Sequence, residues 1–511
     1  MLAKINSALT IGLEVHAVEI EVDVSHGNLP RFSIVGLPDA SVREARERVR
    51  SAIKNSNLRL PWQRVIVVNL APADLKKEGP FFDMPIAIGL LKAVEFDLNT
   101  DEALFLGELA LDGSIRHSEG VLPCVLFAKE QGFKRVFVPA SDVNEAALVD
   151  GIDIYPATNL SELVRHLLGE QPIIPFDREK IASAWSEKIA VSECDMAYIK
   201  GQHHAKRALE IAAAGGHNIL LSGPPGSGKT LLARTFTTIL PEMTKEEILE
   251  VTKIYSVAGM LPKGMPLILS RPFRAPHHTS SGAALVGGGR IPRPGEISLS
   301  HRGVLFLDEL PEFSRTILET LRQPIEDGVI TISRAQACLT FPADFILVSA
   351  QNPCPCGFYT DPDKECICAP LAVRRYQTRV SGPLLDRIDL QIEVPRLSYQ
   401  KIARDEDSEA SNVIVLRVEQ ARKIQKQRFK NRVGGLNSKM SSREVREFCP
   451  IPVEAEKFLE SAMARFFLSP RAYYKILKVA RTIADISNEP EISVEHLSEA
   501  LQYRFRSTEG F

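Results

Sequence analysis

Gly223-Pro224-Pro225-Gly226-Ser227-Gly228-Lys229-Thr230 fits the spacing G-x-x-x-x-G-K-T of a phosphate-binding loop, and its flanks carry the same message. Asn218-Ile219-Leu220-Leu221-Ser222 before it reads as a short buried strand, and Leu231-Leu232-Ala233-Arg234-Thr235-Phe236 after it opens a helix. The glycines let the backbone curl so that successive N–H groups face an anion, and the helix start adds its dipole. In such a loop Lys229 reaches the β- and γ-phosphates of ATP and the Thr230 hydroxyl ligates Mg²⁺. A plain Gly-rich turn is the alternative, and the strand–loop–helix context argues against it. This stretch predicts a parallel α/β sheet with a nucleotide at its carboxyl edge.

Downstream, Val304-Leu305-Phe306-Leu307-Asp308-Glu309 is an apolar strand ending in two acids. A strand buried on both faces presents its last residues beside the phosphate loop. Asp308 is then placed to hold Mg²⁺ through water, and Glu309 to polarise the attacking water. A third strand, Phe345-Ile346-Leu347-Val348-Ser349-Ala350, leads into Gln351-Asn352-Pro353. The neutral amide of Asn352 can orient water or sense a γ-phosphate without repelling it, although Asn before Pro is also an ordinary turn former.

Cys354-Pro355-Cys356 and Cys366-Ile367-Cys368 place four of the eight cysteines in one short stretch. Four thiolates so spaced fit a tetrahedral structural Zn²⁺ site, with a redox pair or chance clustering as alternatives. The remaining cysteines are isolated and read as packed thiols.

The 511 residues suit about three domains. Hydrophobic content of 44% and charged content of 25% are those of a globular protein. A net charge of −2 predicts no general attraction to polyanions, so nucleic-acid contact would need local basic patches. No apolar run approaches the ~20 residues of a membrane span. Glu14 and Glu19 fall where a signal peptide needs an unbroken apolar core, so a cytoplasmic location without membrane partners is expected. Strands alternate with helices over residues 1–165, and residues 166–190 read as a linker around Gln171-Pro172-Ile173-Ile174-Pro175. The βα pattern resumes over 191–395, and 396–511 has amphipathic helical spacing.

Together these pieces resemble an AAA+ ATPase, and more narrowly the magnesium-chelatase-like ComM/YifB family. The resemblance is carried by Ile199-Lys200-Gly201-Gln202, Ala212-Ala213-Ala214-Gly215-Gly216-His217, Arg274-Ala275-Pro276-His277-His278-Thr279, Arg322-Gln323-Pro324-Ile325-Glu326-Asp327-Gly328 and Leu384-Leu385-Asp386-Arg387-Ile388-Asp389. It implies an AAA+ parallel-sheet core with a helical C-terminal lid. It also implies a sensor role for Asn352, an arginine finger at Arg387 acting on the neighbouring subunit, and a second sensing arginine at Arg471. A finger in trans implies a homo-oligomeric ring, expected to be a hexamer.

Two further stretches are cationic. A long Gly/Pro-rich insertion carries Arg271, Arg274, Arg290 and Arg293, and a hairpin over Gly328–Phe341 places Arg334 near its tip. The resemblance implies that both project into a ring channel, where cations suit a phosphate backbone; by residue content alone they are solvated Arg-rich loops. Arg417, Arg422, Lys423, Lys426, Arg428, Lys430 and Arg432 give one helix a basic run, read either as a patch or as a solvated face.

In the first domain, Lys76–Asp83 and Gly107–Gly113 resemble the proteolytic domain of Lon-type proteases, an α+β fold. Phe81 stands at the nucleophile position and Leu122 at the lysine position, so catalysis there is not expected. The family resemblance implies an ATP-driven motor on single-stranded and branched DNA, promoting branch migration in recombination during natural transformation. A protein-remodelling ATPase of the magnesium-chelatase motor type is the rival reading.

Overall fold

A computed structural model describes residues 2–26, 29–60, 62–77, 79–94, 96–177, 194–262, 267–289, 292–334, 337–359, 361, 364–397, 408–430, 432, 434–466 and 468–504. The chain divides into two compact units: residues 1–189 with 248–268, and residues 190–247 with 269–511. The second therefore contains the phosphate loop, the acidic strand and the C-terminal helices. The segment 248–268, which follows the phosphate loop in sequence, groups with the first.

The first unit is built on a seven-stranded mixed sheet. Its centre is the hairpin Leu2–Ile11 and Glu14–Ser25, antiparallel in the register Ile5↔Ile20. Val65–Ala71 adds antiparallel on one side, and Ala103–Phe105, Arg135–Pro139 and Asp153–Ala157 add in parallel on the other. Helix Asp83–Ala93 is apolar on nearly every side and is buried along almost its whole length, as a helix with no polar face must be. Helix Ala40–Asn55 alternates in the usual way, burying Val42, Ala45, Val49, Ala52 and Ile53, and Asp39 caps it by accepting from the Val42 N–H at 2.8 Å.

The second unit carries a five-stranded sheet in the order Phe273–Arg274, Val304–Leu307, Ile346–Gln351, Ile219–Ser222, Leu390–Glu393, with every pairing parallel. Its inner strands are continuous apolar runs because helices cover both faces. Val304–Leu307 is buried throughout, and helix His203–Gly215 presses Ala208, Ala212 and Ala213 into the same core. Among the described residues five helices follow the sheet: Ser411–Arg428, Ser442–Phe448, Val453–Phe466, Pro470–Ile486 and Val494–Gln502. Their starts are set by local chemistry, with Ser441 and Glu444 forming a reciprocal capping box and Ser469 capping the fourth at Ala472.

A buried polar cluster joins these helices to the sheet. Asp389, just before the last strand, accepts from the Asn218 N–H at 3.1 Å and pairs with Lys475 at 2.6 Å and His217 at 3.5 Å. His217 Nε2 meets Thr482 Oγ1 at 2.8 Å. Burial opposes the charge on Asp389, but the Lys475 ammonium and His217 outweigh it and hold the carboxyl below the usual carboxylate range. The hairpin expected around Arg334 is present as Val329–Arg334 against Ala337–Pro342, with Arg334 opposite Ala337.

Candidate functional site

Strand Ile219–Ser222 lies between Ile346–Gln351 and Leu390–Glu393, so the loop leaving it emerges at the sheet's carboxyl edge one strand in from the Leu390–Glu393 end. The Gly223 N–H donates to the Gln351 carbonyl at 3.2 Å. A Cβ on Gly223 would sit 2.2 Å from the Val394 carbonyl oxygen, so only glycine lets the chain turn between these neighbours. Ser227 is buried, and its hydroxyl has no partner among the described residues, as expected of a loop shaped around an absent anion.

Lys229 begins the helix Lys229–Thr235 and folds back on its own loop. Its ammonium donates to the carbonyls of Gly223 at 2.8 Å and Pro224 at 2.9 Å, and to Asn352 Oδ1 at 3.2 Å. Burial lowers its pKa, opposed by the charges of Asp308 and Glu309. The Thr230 hydroxyl donates to Asp308 Oδ2 at 2.9 Å, which brings the two expected Mg²⁺ ligands together. Glu309 adopts a left-handed backbone at φ 52°, uncommon for a residue with a side chain and frequent at functional sites. Residues from three separate strands and one helix thus converge where the sequence places them.

His278 joins this group without having been given a role from sequence. Its Nδ1 lies 3.5 Å from Glu309 Oε2, and its ring packs against His277 and Phe313. The adjacent histidines were a visible signal, but nothing in the sequence says which acid they meet.

Arg387 and Arg471 make no described contact with the phosphate loop of their own chain. Both instead reach Glu326, in the last turn of the helix Arg322–Asp327. Arg387 Nη2 donates to Oε2 at 2.8 Å, and Arg471 pairs with Oε1. One carboxylate therefore gathers two arginines that stand 84 positions apart in sequence. Arg387 also donates to the Pro383 carbonyl at 2.8 Å, while its Nε is buried without a partner among the described residues.

The four cysteines of the 354–368 loop do come together. Cys354 Sγ lies 3.3 Å from Cys356 and 3.6 Å from Cys366, Cys356 lies 3.5 Å from Cys366, and all four sulfurs are within 4.8 Å. Tetrahedral Zn–S bonds of about 2.3 Å imply sulfur separations of ~3.8 Å, so the cluster fits zinc. Hydrogen bonds, first from the Phe358 N–H, hold the Cys356 thiol down at about 6, whereas burial and the neighbouring sulfurs push Cys354 up to about 12. Gly357, at φ +85°, seats this loop against the phosphate loop; a Cβ there would lie 2.4 Å from Pro225 Cδ.

The cations expected to meet DNA fare differently. Arg274 is held by both oxygens of Glu296 at 2.6 and 2.7 Å, and Arg271 by Glu247 and the carbonyls of Pro241 and Arg302. Arg293 is exposed on a two-residue strand. Arg290 and the side chain of Arg334 lie outside the described residues. The basic helix is not one continuous solvated face. Arg417 is paired with Glu210 and Glu409, and Arg428 with Asp485 at 2.5 Å.

Comparison with known proteins agrees with this site. Residues 195–402 match the family described as magnesium chelatase, subunit ChlI; residues 20–142 match subunit ChlI of Mg-chelatase; and residues 408–504 match the ChlI C-terminal family. The chain is 45% identical to the competence protein ComM of Haemophilus influenzae over 98% of its own length and 97% of that protein. It is 43% identical to the protein YifB of Escherichia coli over 98% of its own length and 97% of that protein. A magnesium-chelatase 67 kDa subunit of Chlorobaculum tepidum is 30% identical over 30% of this chain and 23% of that subunit.

Proposed function

Because the chain belongs to the magnesium-chelatase-like ComM/YifB family of AAA+ ATPases, we propose that it is an ATP-driven ring motor that moves branched DNA. The observation that carries the ATPase part is the convergence of Lys229, Thr230, Asp308, Glu309 and Asn352 at one sheet edge. Lys229 leaves its carbonyl partners for the β- and γ-phosphates, and Glu309 takes a proton from the water that attacks the γ-phosphorus. Thr230 and Asp308 would hold Mg²⁺, which neutralises phosphate charge. His278 orients the Glu309 carboxylate.

Arg387 and Arg471 act on the next subunit's nucleotide rather than their own. Their pairing through Glu326, away from their own phosphate loop, supports this reading and with it a ring, a hexamer in our proposal. A guanidinium supplied in trans accelerates such reactions by roughly 10³–10⁵. Cys354, Cys356, Cys366 and Cys368 hold one structural zinc, and elemental analysis returning no zinc after chelator-free purification would contradict that. The first unit serves binding or assembly as a Lon-like domain without catalytic residues, and the C-terminal helices serve as the lid.

The name of the Haemophilus relative directs the motor to DNA taken up during competence, and we place its action at branch migration of the recombination joint. Arg293 and Arg334, with Arg290, are its DNA contacts in this proposal; Arg274, held by Glu296, shapes the insertion that also carries Arg290 and Arg293. The test is a partly homologous three-strand junction with ATP. The intact protein should extend the joint, and Lys229→Ala should not. ATP hydrolysis should rise with forked or single-stranded DNA and lose that rise with added salt. Hydrolysis indifferent to every DNA and a static joint would transfer the reading to a protein-remodelling ATPase, which the three chelatase-family matches favour.

A further inference from the structure

The basic helix Ser411–Arg428 has cations left over once its ion pairs are assigned. Arg417 and Arg428 are spoken for, but Arg422 and Lys426, one turn apart, form no ion pair among the described residues. Arg422 donates through Nε and Nη2 to the Ala213 carbonyl, at 3.0 and 2.7 Å, and to no carboxylate. Both residues line a cavity of about 520 Å³ within the second unit. Its other cations are Arg271, Arg302, Arg432 and Lys439, against the carboxylates Glu246, Glu247 and Asp344.

Among the described residues none of those carboxylates forms an ion pair with Arg422 or Lys426, and their charges act on the two only at longer range. Glu247 is bound by Arg271 at 3.0 Å, and Asp344 by Arg302 at 2.8 Å and by Lys439. Glu246 is exposed at the rim. Burial, with Arg271 nearby, pushes the Arg422 guanidinium down to about 9, against the opposing pull of Glu247 and Asp344. Leu240, Phe345 and Leu436 supply an apolar wall, and the volume is that of a small-ligand site.

The cavity is separate from the ATP site. Gly303 and Ile346 in its lining stand at the amino ends of strands Val304–Leu307 and Ile346–Gln351, whereas the phosphate loop lies at the carboxyl edge. A strand of this length puts ~13–20 Å between the two edges.

We propose that this cavity binds a small polyphosphate-bearing ligand, with Arg422 and Lys426 as its phosphate contacts. The proposal holds whether or not the protein moves DNA.

The test uses the full chain carrying Lys229→Ala, so that the phosphate loop does not report. Calorimetry with pyrophosphate should find one site per chain, and ADP should bind more tightly if the apolar wall takes a base. Lys426→Ala, an exposed change that spares the fold, should weaken pyrophosphate at least threefold. Adding Arg422→Gln should weaken it more than tenfold, with thermal unfolding as the check that the doubly changed protein folds. Absence of binding in the Lys229→Ala protein, or binding unchanged by Lys426→Ala, would overturn the site. Displacement of pyrophosphate by a short single-stranded oligonucleotide would also overturn it, assigning the cations to a DNA backbone instead.

Discussion

Glu145 in the first unit and Asp389 in the second are both buried carboxylates, yet their surroundings set them in opposite directions. Glu145 accepts from the Leu122 N–H at 2.8 Å and from Ser256 Oγ at 2.5 Å, with no hydrogen bond from a cation among the described residues. Burial pushes it up to about 6, those hydrogen bonds opposing. Asp389 sits between Lys475 and His217 and is held down. The same contrast runs through the positions where chemistry would be sought. In the first unit, Leu122 is fully buried and Phe81 half-buried, at the two positions that the proposed Lon-like reading would give to a base and a nucleophile. In the second, Asp308 is half-buried and Glu309 exposed, beside a phosphate loop whose Ser227 hydroxyl has no partner among the described residues. Carboxylates that fix the second unit's frame are clamped by cations, which leaves the unclamped ones free for substrate.

The largest expected effect tests the open edge. Arg387→Ala should reduce hydrolysis by roughly 10³–10⁵ while leaving ATP binding intact. Glu309→Gln should likewise bind ATP without turnover. Mixed rings of the two should recover part of the activity, because an intact Arg387 can meet an intact Glu309. No recovery in rings shown to be mixed would return Arg387 to a surface ion pair with Glu326.

A smaller effect tests the clamp. Arg428 pairs with Asp485, which is fully buried and also bonded to Arg481 at 3.0 Å. Arg428→Ala should cost about 3–5 kcal/mol, as expected when one partner of a buried pair is removed. Denaturant melts of the variant would read this, and a loss below about 1 kcal/mol would make the pair incidental.

The smallest concerns Glu145. Its folded pKa of about 6 is raised above the ordinary 4.5, so the folded state holds its proton more tightly. Stability from this group is present at low pH and is lost as pH rises through about 6, by about 2 kcal/mol. Glu145→Gln keeps an acceptor for Leu122 and should remove that loss without altering ATP hydrolysis. Equal pH dependence in the two proteins would show that the contrast with Asp389 carries no energy.

How much of this was legible depended on sequence distance. The phosphate loop, the acidic strand and the cysteine cluster are contiguous patterns, so backbone geometry alone places Lys229, Thr230, Asp308 and the four sulfurs. The C-terminal helices followed from apolar spacing. Glu326 gathering Arg387 and Arg471, His278 meeting Glu309, and residues 248–268 joining the first unit all require the folded chain. The basic helix was misleading for the same reason: Glu210 and Asp485, which pair with Arg417 and Arg428, lie far away in sequence and dissolve the apparent patch.

Gly357 has a bearing on how such a chain can drift. Its position is fixed from two sides, by a left-handed backbone and by the ring of Pro225. A lineage that abandoned the four sulfurs would still be unable to accept a side chain at 357 unless Pro225 changed with it. Loss of the glycine and loss of the proline should therefore travel together, and a descendant keeping Pro225 should keep the glycine even after the cysteines are gone.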